Sequence, residues 1–310
     1  MINNTNPLIS IVVITYNSSN FVFETLESAK AQSYNNIELI VSDDCSTDNT
    51  IEICKEWLTY NKDRFMRTKL LTVDHNSGIA SNCNRGCKEA KGDWIKIIAG
   101  DDVLESYYCT EILKFIKQTP DALCIVTNVT KYNDIISESN IISKTDLKKY
   151  KLFFDDFSPE NQFQCLLRYN VVYTAGVIIN KTVYQDFGYY DEKYPFMEDC
   201  PFWLKITKGG IRLFLLDIYG AKYRINSQSI QRAKPKEFWS KFSLSRYYVT
   251  TDCLKYYPCF ERLLRKFTSS TEYFFFKFFH NRRNFFIIVI LFLITKFPNL
   301  IINSITKKYL

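Results

Sequence analysis

The sequence predicts an α/β fold, a mostly parallel sheet with helices on both faces, followed by a helical C-terminal tail. Two observations carry the sheet. Near-continuous apolar runs rich in β-branched residues recur along the first 130 residues, the pattern of strands covered on both faces, and segments of helical length and period separate them. Strand alternating with helix implies right-handed crossovers and three layers. The third observation is a charge asymmetry. Lys255 to Leu310 holds ten Lys and Arg against only Glu261 and Glu272, whereas the preceding residues hold 30 cations against 31 acids. The basic excess belongs to the tail, which excludes a nucleic-acid surface on the body and points to an anionic partner near the C-terminus.

The first strand is LISIVVITY, Leu8 to Tyr16. NIELIVSDD repeats the pattern over Ile37 to Val41, RTKLLTV precedes Asp74, Trp94 to Ala99 forms the fourth strand and Leu123 to Val129 the fifth. Helices are expected over Phe21 to Gln32, Thr50 to Tyr60, Ile79 to Ala90 and Tyr107 to Ile116. Residues 131–160 carry mixed charge and no period, and read as a variable insertion. In the tail, ten apolar residues run from Phe285 to Ile294 before Lys296 and Pro298 interrupt. A bilayer span needs about 20, so this stretch is expected to lie in the headgroup region of an anionic membrane, flanked by Lys277, Arg282, Arg283, Lys296, Lys307 and Lys308. The other reading docks the tail on the body or on a second copy, as a homodimer.

In sheets of this type ligands bind beyond the carboxyl ends of the strands, and three polar clusters fall there. Thr15 to Asn17 follow the first strand, SDDCSTDNT (Ser42 to Thr50) the second and AGDD (Ala99 to Asp102) the fourth. Ser46 to Asn49 suit a turn and a helix cap. The doubled acids Asp43 and Asp44 are less easily explained, because adjacent like charges repel unless something binds between them. A third pair, Glu198 and Asp199 in FMEDCPFW, sits where Pro201 marks a first helical turn and the helix dipole favours anions. Each pair alone could be a solvated turn or a helix start. Six carboxylates in three pairs are what a site offers when it must hold a divalent cation and also deprotonate a hydroxyl.

ISIVVITYN, LESAKAQSYNNIELIVSDDCSTDNT, NSGIASNCNRGCKEAKGDWIKIIAGDD and the later ED, in this order and spacing, resemble the family 2 nucleotide-sugar glycosyltransferases of GT-A fold over roughly residues 8–230. The resemblance implies a catalytic domain over 1–230, with a nucleotide-binding half to about 130 and an acceptor half over 131–230, and leaves 231–310 as the tail. It further implies inverting transfer of a sugar from a nucleoside diphosphate, UDP by the family's habit, with Mn2+ or Mg2+. The acceptor would be a hydroxyl of a glycan or lipid-linked sugar in surface polysaccharide synthesis, such as lipopolysaccharide or capsule, at the cytoplasmic face of the membrane. By the same resemblance Tyr16 and Asn17 line the base pocket with Thr15 beside them in the nucleotide-sugar site, Asp44 accepts from the base and Asp43 supports that loop. Asn76, Gly78, Asn84 and Gly86 border the donor and Gly100 adjoins it. Asp101 is the metal ligand with Asp102 beside it, Asp199 is the general base, and Glu198 is its neighbour toward the acceptor.

The chain departs from the family pattern at Ala99, where an acid is common, at Cys83, where Arg is common, and at Asn226, where His is common. These departures keep open a catalytically silent nucleotide- or carbohydrate-binding protein of the same fold. Other classes fail on residues. His75 and His280 are the only histidines and have no partners at zinc-ligand spacing. No G-x-G-x-x-G follows the first strand, and no phosphate loop of the G-x-x-x-x-G-K-[ST] type is present. Ten scattered cysteines without a C-x-x-C pair, and an opening without a basic-then-apolar leader, lead us to expect a reduced, cytoplasmic protein.

Overall fold

Strand β1 (Ile9–Thr15) alternates its side chains between two cores. Ile9, Ile11 and Val13 enter one and Val12 the other, all fully buried, so this run must be a central strand. It pairs in parallel with β2 (Ile37–Asp43); β3 (Arg67–Leu71) continues outside β2, and β4 (Trp94–Ala99) flanks β1 on its other side. The computed structural model describes residues 6–154, 158–194, 196–225, 237, 239–282 and 285–309. Its further strands are β5 (Val103–Leu104), β6 (Cys124–Asn133), β7 (Ile141–Lys144), β8 (Val177–Asn180) and β9 (Leu213–Ile225), in the order β3-β2-β1-β4-β8-β6-β9-β5 with β7 on β6. The five strands expected from sequence share one direction, which β9 also takes. β8 runs against both of its neighbours, an insertion that the sequence reading did not contain.

Helices α1 (Val22–Lys30), α2 (Thr50–Asn61), α3 (Ile79–Glu89) and α4 (Tyr108–Gln118) match the expected four to within a few residues. Leu26 of α1, Trp57 of α2 and Ile112 of α4 cover one face of the sheet. The other face receives Cys83 and Cys87 of α3, and with them α5 (Lys151–Phe154), α6 (Pro159–Leu166), α7 (Lys181–Phe187) and α8 (Asp199–Lys208). Gly86 lets α3 approach the sheet, since a Cβ there would come within 2.3 Å of Val12 Cγ1. The residues read as an insertion finish β6, form β7 at the edge and enter α5.

Lys96 is a fully buried cation on β4. Its ammonium donates to the carbonyls of Ala175 at 2.6 Å and Val177 at 3.1 Å, with Thr174 at 3.4 Å. These carbonyls belong to the turn Thr174–Gly176 and to the strand it enters. Burial lowers the Lys96 pKa to about 7 against the pull of Asp102.

The tail forms α9 (Lys241–Cys253), α10 (Cys259–Phe278) and α11 (Phe285–Thr306). Lys296 and Pro298 were expected to end the apolar stretch; instead α11 runs through both. An interior proline removes one amide and strains one turn, and the rest of a long apolar helix absorbs this. By length and composition alone, Ile288–Tyr309 is long and apolar enough to cross a membrane. The base of the tail is docked on the body. Arg168 and Glu261 form a 2.6 Å ion pair with side chains 0% and 3% exposed, the Tyr257 hydroxyl donates to the Leu167 carbonyl, and Arg168 lies 3.9 Å over the Tyr309 ring. The outer surface remains apolar and exposed at Phe274, Phe278, Phe285, Phe292 and Phe297. The expected domain boundary at 230/231 and Asn226 lie outside the described residues.

Removing one member of a buried pair leaves an uncompensated charge. Glu261→Gln is expected to lower unfolding stability by about 3 kcal/mol in urea titration and to speed amide exchange in α10. Unchanged stability and exchange would show that the tail is held by its apolar contacts alone.

Candidate active site

Parallel register decides which polar residues meet. Thr15 pairs with Asp43 across β1 and β2, and Ile14 pairs with Ala99 across β1 and β4, so the loops after all three strands open at one edge of the sheet. A cleft of about 1480 Å³ lies there. Of the residues singled out from sequence, Thr15, Tyr16, Asn17, Asp44, Asn76, Gly78, Gly100, Asp101, Asp102, Glu198 and Asp199 all line it.

The first two loops are laced together. Asn17, at φ 52°, accepts from the Thr47 amide at 2.8 Å and donates its own amide to Ser46 Oγ at 2.8 Å. Asn tolerates this left-handed conformation better than most residues. Asp43 is buried under the loop, where it accepts from Thr15 Oγ1 at 2.7 Å, the Ser46 amide at 2.8 Å and Ser46 Oγ at 2.6 Å. It lies outside the cleft lining. Tyr16, half-exposed at 50%, stands at the rim as an open aromatic face.

Asp44 is the hub of the next loop. It accepts from the Ser77 amide at 3.0 Å, Ser77 Oγ at 2.6 Å, the Gly78 amide at 2.8 Å and Arg85 at 3.0 Å. Burial opposes its charge, but these donors outweigh burial and hold the carboxyl below its ordinary value. Gly78 sits at φ 92° before α3, a conformation that glycine adopts without strain. Asn84, by contrast, is turned away from the cleft. Its amide donates to the Tyr190 carbonyl and to Glu192, and its carbonyl accepts from the Tyr190 amide. It ties α3 to the segment before Glu198.

At the end of β4, Asp101 is half-buried on the cleft wall and Asp102 lies beneath it, 2% exposed. Arg224 of β9 braces both: its amide donates to Asp102 Oδ1 at 2.8 Å and its Nε to the Asp101 carbonyl at 2.7 Å. Burial and the Asp101 charge push Asp102 well above its ordinary pKa despite Arg224 and Lys96. Gly100 is required by contact, since a Cβ would meet Thr15 Cγ2 at 2.7 Å.

Glu198 and Asp199 face the same cleft from the start of α8. Asp199 accepts from the Cys200 amide at 2.6 Å and Thr174 Oγ1 at 3.2 Å. Burial raises its pKa more than these donors lower it. Burial, then the Asp199 charge, push Glu198 up to about 8. Of the aromatic residues ahead of this pair, Tyr173 and Phe196 line the cleft. Tyr190 is core, 4.8 Å from the Phe202 ring.

Among the described residues no three His, Cys, Asp or Glu side chains gather as a metal cage. The AGDD acids can instead offer hard carboxylate oxygen to a cation that completes its shell with phosphate oxygens and water, the habit of Mg2+ in phosphate sites.

The glycosyl transferase family 2 model matches residues 10–178, more than half of the chain. The chain belongs to glycosyl transferase family 2. It is 27% identical to an uncharacterized glycosyltransferase of Haemophilus influenzae over 66% of this chain and 61% of the relative, so it spans less than two thirds of that protein. It is 28% identical to the Escherichia coli UDP-Glc:alpha-D-GlcNAc-diphosphoundecaprenol beta-1,3-glucosyltransferase WfaP, over 74% of this chain and 82% of WfaP. Its fold is similar to that of Staphylococcus aureus TarS 1-349 in complex with UDP-GlcNAc, with a TM-score of 0.60 and 18% identity over 87% of this chain and 73% of that fragment. The family assignment agrees with the fold read from sequence.

Arg85, Arg224, Lys96 and Thr174 escaped the sequence reading. Arg85 stands inside the quoted NSGIASNCNRG, two residues after the Cys83 noted as replacing a common Arg. A cation nearly two turns into α3 was the available signal. The other three act across 25 to 123 residues of sequence, and no local pattern marks them.

The Asp44 network yields a direct test. Arg85→Met is expected to cost about 2 kcal/mol, the loss of a partly buried charged partner, and Ser77→Ala about 1 kcal/mol, that of a neutral hydrogen bond. Urea unfolding checks both. Wild-type stability for Arg85→Met would show that the loop holds without it.

Proposed function

We propose that the protein is an inverting glycosyltransferase. It moves a sugar from a nucleoside-diphosphate sugar, with UDP the expected nucleotide, to a hydroxyl of a glycan or lipid-linked acceptor in surface polysaccharide synthesis. The observation that carries this reading is the single cleft shared by the β1, β2 and β4 loops and by Glu198 and Asp199. The printed activity of WfaP, which uses UDP-Glc and a diphosphoundecaprenol-linked acceptor, and the UDP-GlcNAc complex of TarS support it.

In this reading Tyr16 and Asn17 take the base, Asp44 and Gly78 shape the nucleotide wall, and Thr15, Asn76 and Gly100 border the donor. Asp43 and Asn84 act from behind the wall, through the loops they hold. Asp101 would hold a divalent cation, Mn2+ or Mg2+, over Asp102. Such a cation offsets charge that develops on the leaving diphosphate. Asp199 takes the acceptor proton as the acceptor oxygen bonds to the anomeric carbon; the bond from that carbon to the diphosphate breaks, and its electron pair leaves with the nucleotide. A carboxylate whose pKa is raised by burial is a stronger base than one in water, which suits this role. Glu198, pushed up to about 8 by burial and the Asp199 charge, stays protonated beside the base and faces the acceptor.

Asp199→Asn is expected to lower kcat for transfer by about 10²-fold or more while nucleotide affinity stays unchanged. Equal transfer rates would discredit the base assignment, and transfer by neither protein would leave a silent binding protein. The base must be ionised to act, and its pKa is raised. Activity should therefore fall on acidification at a pH above the ordinary carboxylate range. Glu198 is protonated where Asp199 titrates, so Glu198→Gln should leave the acid limb of kcat/KM in place. A shifted limb would assign the titration to Glu198 instead.

The tail extends the proposal to location. Exposed Phe274, Phe278, Phe292 and Phe297, with Lys277, Arg282 and Lys296 beside them, suit peripheral contact with the anionic cytoplasmic leaflet. Phe292→Ser with Phe297→Ser should reduce co-sedimentation with phosphatidylglycerol vesicles. Undiminished binding would remove the tail from this role.

A further inference from the structure

The cleft does not stop at Asp199. It continues along the tail, where Trp239, Lys241, Arg246, Glu272 and Ile302 also line it. Helix α9 is pressed against the segment that bears the two acids, with Val249 packed on Tyr194 and Met197 and with Phe242 and Cys253 beside it. Phe242, Arg246 and Val249 follow one another at helical spacing, so Arg246 rides on the face of α9 that meets that segment. Its guanidinium is exposed. Lys241, also exposed, sets its ammonium 5.2 Å from the centroid of the Phe196 ring, two residues before Glu198. The acid that faces Arg246 is Glu272 of α10, whose carboxyl burial pushes up while Arg246 draws it down. The other tail cation in the lining, Arg265, is already paired with Glu261 at 2.9 Å.

Beyond these cations the surface turns apolar. Trp239 stacks on Phe276 at 5.0 Å, and Tyr247 stacks on Tyr273 at 4.3 Å and 3°. This aromatic clasp joins α9 to α10, whose Phe274 and Phe278 are 59% and 64% exposed, and α11 adds a second apolar face against it. Three chemistries thus follow in order along one groove: carboxylates, then cations, then hydrocarbon.

A glycosyl diphosphate lipid presents the matching order of a sugar hydroxyl, a diphosphate and an apolar chain. We propose that Arg246 and Lys241 hold the diphosphate of a lipid-linked acceptor, with its hydrocarbon along the exposed apolar face of α10 and α11. The inference rests on the glycosyltransferase reading above and names the acceptor class for it. A guanidinium suits the site because its fork meets phosphate oxygens in two parallel hydrogen bonds, which an ammonium cannot do. A soluble glycan would leave both cations and the apolar face unused, and is expected to be the poorer substrate.

The test uses farnesyl diphosphate and farnesol as probes on the full-length protein saturated with UDP, so that the donor site is filled. Farnesyl diphosphate should bind, and farnesol at least about tenfold more weakly. Arg246→Ala should weaken farnesyl diphosphate by about tenfold, Arg246→Lys by less, and Lys241→Ala should add to the loss, with UDP affinity unchanged throughout as the measure of folding. Equal binding of farnesol, an unaltered Arg246→Ala protein, displacement of farnesyl diphosphate by UDP, or equally effective competition by phosphatidylglycerol vesicles would each overturn the subsite. Failure of UDP itself to bind would instead overturn the donor reading on which it rests.

Discussion

The parallel register of β2, β1 and β4 is the constraint on which the cleft depends. Because Thr15 faces Asp43, and Ile14 faces Ala99, three strands end level and their loops share one edge. A slip of any one strand would carry its loop out of level with the other two, so the pairing that stabilises the sheet also aligns the polar groups. Of the two adjacent acids after β2, Asp43 secures the Thr15 and Ser46 contacts and Asp44 secures the Ser77–Gly78 loop. The doubled charge is tolerated because each member has its own donors.

The second half of the cleft is assembled by long-range charges. Arg224 reaches from β9 to the backbone and carboxylate at the end of β4. Arg168 and Glu261 fasten α10 to the body in a nearly dry environment. Buried charges of this kind are expensive unless fully paired, and here they sit where separate stretches of chain must meet. Asp102 of AGDD and both acids of the ED pair are left with raised pKa values by the same burial.

What was legible in the sequence follows from this division. β1 to β4, β6 and α1 to α4 announce themselves through apolar period and β-branched content, which are local signals, and the carboxyl-end rule together with the family motifs pointed to fourteen residues, of which eleven line one cleft. Asn84 was read by its place in a motif, but its amide answers to Tyr190, a partner no spacing could reveal. β8 is four residues long and β5 two, too short to carry a period. The length of α11 was misjudged because Pro298 was read by its own propensity rather than by the long helix around it. Arg224 and Lys96 looked like ordinary strand residues, since what makes them special is the depth at which they lie.

Lys96 links the two halves. One ammonium binds the carbonyls of the turn whose Thr174 supports Asp199, and the same charge acts on Asp102 under the opposite wall. The two walls therefore cannot vary independently. Grafting the 174–199 region onto a relative's scaffold would require carrying a core cation with it, so one lysine ties the inheritance of the Glu198–Asp199 wall to that of the Asp101–Asp102 floor.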